Sequence, residues 1–185
     1  MCMSYEMAKM RARSPQVKTS QAVKEKEGML PCDSYEPGDM VSSNQFNVHT
    51  AGQKFDWYGR EPPENGYHGG TIYVDAASVL VRVEMQVSMG ANETLIGKHK
   101  FEQWVYDLAT VCVKSCHNDN GVYDSNAIRE DCAGQNQQQT FSGVGAKHQN
   151  AAAERCIQTM SYWACTMIVH AALHWPSNGA DNLQL

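Results

Sequence analysis

Asp119 and Glu154 are the residues of this chain whose types and spacing could hold a metal ion. Asp119 lies in CHNDNG, where a strand-like run (Val111, Cys112, Val113) meets a loop. Glu154 lies in AAAER, near the start of a long helical stretch and one turn past the Gly-rich FSGVGAKHQN. A strand-end Asp and a helix-borne Glu can converge on one divalent cation, because hard ions such as Mg²⁺ select carboxylate oxygens. Each acid also has an ordinary reading. An Asp before Asn-Gly is commonly a turn residue, and a single helical Glu is commonly solvated. His170 and His174, at i and i+4, have metal-binding spacing but no third ligand, and read as charge at a helix end. Cys112, Cys116, His117 and Cys132 could be drawn as a zinc cluster; the thiols read better as buried or inert.

The elements that must position these acids follow from periodicity. Asp39 to Phe46 (DMVSSNQF) reads as a strand of weak alternation, and a turn-rich stretch follows. Pro62-Pro63 and Gly69-Gly70 are expected to bar regular structure there. TIYVD (71–75) is a β-branched strand. VLVRVEMQVS (79–88) alternates, with Val79, Val81, Val83, Met85 and Val87 expected on the core face and Arg82, Glu84, Gln86 and Ser88 outward. Asn92 is expected to cap a helix of 93–108, with Phe101, Trp104, Val105 and Leu108 as its buried stripe. Then come a strand at 111–116, a short helix near 126–133 capped by Asp124 or Ser125, and a strand near 137–141. The last helix carries an apolar stripe at Ala153, Ile157, Met160, Ala164, Met167 and Ala171, and Pro176 ends it. Strands interleaved with helices describe an α/β layer fold with a mixed sheet, of which several kinds exist.

Bulk properties narrow the class. The 185 residues suit one domain with a short extension, burying roughly 70% of the unfolded surface. Apolar residues make up 42% of the chain, enough for a core. The net charge of −5 argues against a generally basic nucleic-acid-binding surface. Met1 to Leu30 is the exception, with six Lys/Arg against three Glu. Residues 1–38 read as a basic linker and 39–185 as the folded domain. Seven cysteines without regular spacing read as reduced thiols. With no apolar run long enough for a membrane and no signal-peptide core, a nuclear or cytoplasmic, non-secreted protein is expected.

HNDNG, FSGVGAKHQN, AER and HAALHWP also match, in order, motifs of a known family. Over about residues 37–185 the chain resembles the integrase catalytic cores of copia-type retrotransposons, in the retroviral-integrase branch of the RNase H-like superfamily. The resemblance implies an RNase H-like α/β fold with a mixed central sheet flanked by helices. It implies a polynucleotidyl transferase that carries out DNA 3′-processing and strand transfer with Mg²⁺ or Mn²⁺ held by three carboxylates. Asp119 occupies the second acid position and Glu154 the third. The first reads Asn44, in VSSNQF. Asn offers a carbonyl oxygen without charge, so metal binding should weaken and the rate fall on the order of a thousandfold. Neither Asp39, expected on the opposite strand face, nor Asp75, on the neighbouring strand, is expected to rescue it.

The family's HHQNG reads Lys147, His148, Gln149, Asn150 and Ala151. The first four of these, with Gln158, are the candidate nucleic-acid contacts; a solvated loop is the alternative. At the N-terminus Cys2 and Tyr5 stand where a preceding zinc-binding domain would place its last two ligands, and one thiolate cannot build that site. Implied partners are DNA (retroelement ends and target DNA) and further copies of the chain, with no membrane. The alternative readings are a non-catalytic nucleic-acid-binding or protein-interaction module, and a translated retroelement fossil.

Overall fold

The computed structural model describes residues 35–52, 54, 63–143 and 150–174. The N-terminal linker with Cys2 and Tyr5, the loop residues Lys147, His148 and Gln149, and Pro176 lie outside the described residues. By its internal contacts the chain forms two compact units, residues 30–156 and residues 1–29 with 157–185.

The larger unit is built on five strands in the order β3-β2-β1-β4-β5. These are β1 (Val41–Gly52), β2 (Tyr67–Asp75), β3 (Val81–Gln86), β4 (Ser115–Asn118) and β5 (Gln138–Phe141). β1, β2 and β3 form an antiparallel meander, whereas β4 and β5 run parallel to β1. The sheet is therefore mixed, as the sequence implies. A parallel neighbour needs a crossover, and α1 (Ala91–Ala109) supplies the one from β3 to β4. The short helix α2 (Asn126–Gly134) links β4 to β5, and α3 (Ala151–His174) follows β5.

Several local expectations give way to packing. Gly69 and Gly70 do not interrupt structure; they lie within β2. A Cβ on Gly69 would collide with the Phe46 carbonyl of β1, and one on Gly70 would come within 2.7 Å of the Glu84 carbonyl of β3. The pair is there to let three strands approach. β3 is shorter than its alternation, since Val79 sits in a turn with φ of +56° and an exposed side chain.

Its polar face, moreover, is the one that meets α1. Gln86 is buried with its amide 3.3 Å from Thr94 Oγ1, and Arg82 lies over the Trp104 ring at 4.7 Å. The helix begins two residues earlier than expected, capped by Gly90 rather than Asn92, and the Glu93 carboxylate accepts the Ser88 N–H at 2.7 Å. Its buried face is Thr94, Gly97, Lys98, Phe101 and Val105; Leu108 is 60% exposed and Trp104 only half-buried.

The core between sheet and α1 gathers Val41, Tyr73, Phe101, Val105, Val113 and Cys116. Tyr73 and Phe101 stack with centroids 4.6 Å apart. Strand β4 starts at Ser115, so Val111 to Val113 precede it as an extended lead-in rather than forming it. A second cluster, Tyr123, Ile128 and Cys132, seats α2 under the sheet. Ser125 is the N-cap of α2, as one of the two expected candidates, though without a side-chain cap bond. Lys98 joins the helices by reaching Asp131 at 2.7 Å and Glu102 at 2.8 Å.

In the other unit, residues 157–174 are described and continue α3. Of the apolar stripe, Ala153 is buried and Ile157, Met160 and Ala171 are half-buried, whereas Ala164 and Met167 are exposed, as are Trp163 and Leu173. Among the described residues no helix is long and apolar enough to cross a membrane.

Candidate functional site

Side chains alternate along a strand, so neighbours in sequence face opposite ways. The β1–β4 ladder pairs Val41 with Cys116, Ser42 with His117 and Ser43 with Asn118. Val41, Ser43, Cys116 and Asn118 are buried against the α1 side. Asn44 and Asp119 each follow one member of the last pair of this ladder, Asn44 within β1 and Asp119 just past the end of β4. By alternation Asn44 belongs to the opposite face. Asn44 is half-buried and Asp119 exposed.

The HNDNG sequence shapes this corner. Asp119 follows the last residue of β4, and its Oδ1 accepts the Asn120 N–H at 2.8 Å. Asn120 Nδ2 donates to the Ser142 carbonyl at 3.0 Å, and the Ser142 N–H donates to the Asn118 carbonyl at 3.0 Å. Gly121 then turns the chain with φ of +111°, a conformation L side chains resist. The turn leaves the carboxylate outward.

Glu154 stands in the first turn of α3 and is half-buried. What ties that turn down is Asn150, immediately ahead of the helix. Its Nδ2 donates to the Ser43 carbonyl at 2.9 Å, and it is only 2% exposed. Asn150 is therefore not a loop residue open to phosphate, as the motif suggested; its amide is spent inside the protein. The other candidate contacts stand differently. Gln158 is exposed, and Lys147, His148 and Gln149 lie outside the described residues.

His117 shares the Asp119 side of β4. Its Nδ1 is 2.9 Å from Thr140 Oγ1 and its Nε2 3.3 Å from Ser142 Oγ. Burial lowers its pKa from the ordinary 6.5, an effect the nearby Asp119 carboxylate only partly offsets.

The candidate substitutes for the first acid are engaged elsewhere. Asp39 precedes β1 rather than forming part of it, and its carboxylate holds Lys114 at 2.7 Å. Asp75 is buried at the far end of β2, opposite Val41, and accepts the Gly38 N–H at 2.8 Å and the Ser78 N–H and Oγ at 2.7 and 2.6 Å. Cys116 and Cys132 are buried, and burial pushes the Cys116 thiol up to about 12. Cys112, by contrast, is exposed. His170 and His174 bring their rings within 4.2 Å of each other on α3. Among the described residues no three His, Cys, Asp or Glu side chains converge on a point that could hold a metal ion.

No protein-family model matches the sequence, and no curated protein sequence does. Solved structures do match. The HTLV-2 integrase catalytic core domain in complex with magnesium, in its dimeric form, is 18% identical over 79% of this chain and 80% of that one, with a TM-score of 0.48. A chain of the simian T-cell lymphotropic virus intasome, solved with the PP2A regulatory subunit B56 gamma, is 14% identical over 79% of this chain and 45% of that one, with a TM-score of 0.52. Identities this low speak to architecture alone. The chain has the mixed α/β, RNase H-like fold of integrase catalytic cores.

Proposed function

We propose that this chain is an integrase-core-like domain of a copia-type retrotransposon, built for metal-dependent polynucleotidyl transfer on DNA and impaired in it by Asn44. The observation that carries the proposal is the β1–β4 register. It supports Asn44 and Asp119 as neighbours on parallel strands, while Asn150 fastens the turn that carries Glu154 to the residue before Asn44. Asp119 and Glu154 are the proposed metal ligands.

The donor set fits one divalent ion of the Mg²⁺ or Mn²⁺ kind. It offers two carboxylates and one neutral amide oxygen, all hard donors. Neither acid is taken up by a cationic side chain among the described residues. When bound, such an ion stabilises negative charge developing on phosphate oxygens. Asp119 and Glu154 supply the anionic field that attracts it. The Asn120 N–H holds one Asp119 oxygen, and the residue is exposed. Asn44 holds the third corner with a dipole instead of a charge, which favours one weakly held ion over two.

DNA, as retroelement ends and target, is the proposed partner, with Lys147, His148, Gln149 and Gln158 as contacts; self-association and a nuclear or cytoplasmic setting belong to the same proposal. The test is Mg²⁺- or Mn²⁺-dependent strand transfer and disintegration on oligonucleotides, comparing the unmodified chain with Asn44→Asp. Activity confined to Asn44→Asp is the expected result. Activity in the unmodified chain would show that an amide suffices at this corner.

The amide at Asn44 also favours a second reading, a non-catalytic nucleic-acid-binding or protein-interaction module. It requires salt-dependent DNA binding that survives Asp119→Ala and Glu154→Ala. A translated fossil would show neither activity nor binding.

A further inference from the structure

Beneath the candidate site three polar side chains are buried together. Ser43 is 2% exposed, Asn118 3% and Asn150 2%. The Ser43 hydroxyl donates to Asn118 Oδ1, and Asn150 Nδ2 donates to the Ser43 carbonyl at 2.9 Å. The Ser43 carbonyl can only accept, so the orientation of the Asn150 amide is fixed by chemistry. Its Oδ1 is buried without a partner.

Each of these residues is set beside one member of the site. Ser43 precedes Asn44, Asn118 precedes Asp119, and Asn150 lies one helical turn before Glu154. Ser43 and Asn118 point inward, whereas alternation turns Asn44 the other way and Asp119, just past β4, is exposed. We infer that Ser43, Asn118 and Asn150 form a buried clamp whose task is to position Asn44, Asp119 and Glu154 relative to one another. The inference rests on the metal-site reading above.

Two features favour positioning over plain packing. The network joins three stretches that are far apart in sequence, β1, β4 and the residue just ahead of α3, each of which carries one candidate ligand within four residues. It also keeps an amide with an unmatched oxygen, where an apolar side chain would fill the space without an orphaned acceptor. Groups that orient metal ligands from behind typically change metal affinity by about 10–100-fold when removed.

The experiment uses the full chain carrying Asn44→Asp, with Mn²⁺ binding read by the loss of the free-ion electron paramagnetic resonance signal. Ser43→Ala, which deletes the hydroxyl arm, and Asn150→Leu, which deletes the amide arm at similar volume, are added one at a time. Thermal unfolding and amide hydrogen exchange over residues 151–156 are followed alongside. The clamp predicts Mn²⁺ affinity about tenfold weaker in each variant, with a cooperative unfolding transition retained and faster exchange in Asn150→Leu. Should Asn150→Leu fail to fold, Ser43→Ala carries the test, because it removes one atom.

Variants that fold and bind Mn²⁺ as tightly as Asn44→Asp alone would overturn the clamp and leave the metal site standing. An Asn44→Asp protein that folds and binds no Mn²⁺ would overturn the site reading itself, and the clamp's purpose with it.

Discussion

The two faces of the sheet treat charge in opposite ways. On the α1 side Lys98 is 6% exposed, and its ammonium is met by Glu102 and Asp131, with His99 on the other Asp131 oxygen at 2.7 Å. Around it Tyr73, Phe101 and Cys116 exclude water. At the Asp119 corner Asp119 is exposed and Glu154 half-buried, neither with a cationic partner among the described residues, and the buried polar groups Ser43, Asn118 and Asn150 lie just ahead of Asn44, Asp119 and Glu154 in the chain. Charges satisfied within the protein serve the fold. Charges left unmatched are available to a ligand.

The largest effect expected from that contrast is catalytic. In the Asn44→Asp chain, Asp119→Ala or Glu154→Ala should reduce strand transfer on the order of a thousandfold. The thermal midpoint should hold steady or rise, because an unmatched carboxylate is removed. A large fall in stability would mean that these acids belong to the fold after all.

The reverse holds for Phe101. Phe101→Ala empties the centre of the α1 core and should cost about 3–5 kcal/mol in urea unfolding. Lys98→Ala strands two partly buried carboxylates and should cost about 3 kcal/mol. Replacing Lys98, Glu102 and Asp131 together by apolar residues should restore much of that loss, which a merely exposed pair would not do.

Acid should probe the same pair. Burial alone would raise the Asp131 pKa, but hydrogen bonds from Lys98 and His99 outweigh it and hold the value below the ordinary 3.8. A depressed carboxylate stabilises the fold fully above 3.8 and loses that contribution as pH falls through the lower, folded value. Unfolding free energy measured from pH 5 downward should drop along this limb, and Asp131→Asn should flatten it. The smallest change is at the turn. Gly121→Ala should cost about 1–2 kcal/mol through its positive φ, with no van der Waals clash to add to it.

Much of the architecture was legible in the chain. TIYVD is β-branched and buried throughout, and the helix carrying Phe101 and Val105 has a clear apolar period. The misreadings share a cause, which is that local pattern cannot see what lies opposite. Gly69-Gly70 looks like a break until two carbonyls stand where its Cβ atoms would be. The valines of β3 look like the core face until α1 is found packed on Arg82, Glu84 and Gln86. Met167 belongs to the apolar stripe of α3 and is nevertheless 66% exposed.

The candidate site divides along the same line. Residue identity and spacing by themselves determined that Asp119 and Glu154 are acids in motif context, that Asn44 is an amide, and that Gly121 follows Asp-Asn, since these are properties of types and intervals. Only the tertiary structure decided that Ser43 and Asn118 pair across β1 and β4 and that Asn150 is an internal anchor. A parallel ladder joins residues 75 positions apart, and no periodicity within either strand encodes which register the crossover between them will close.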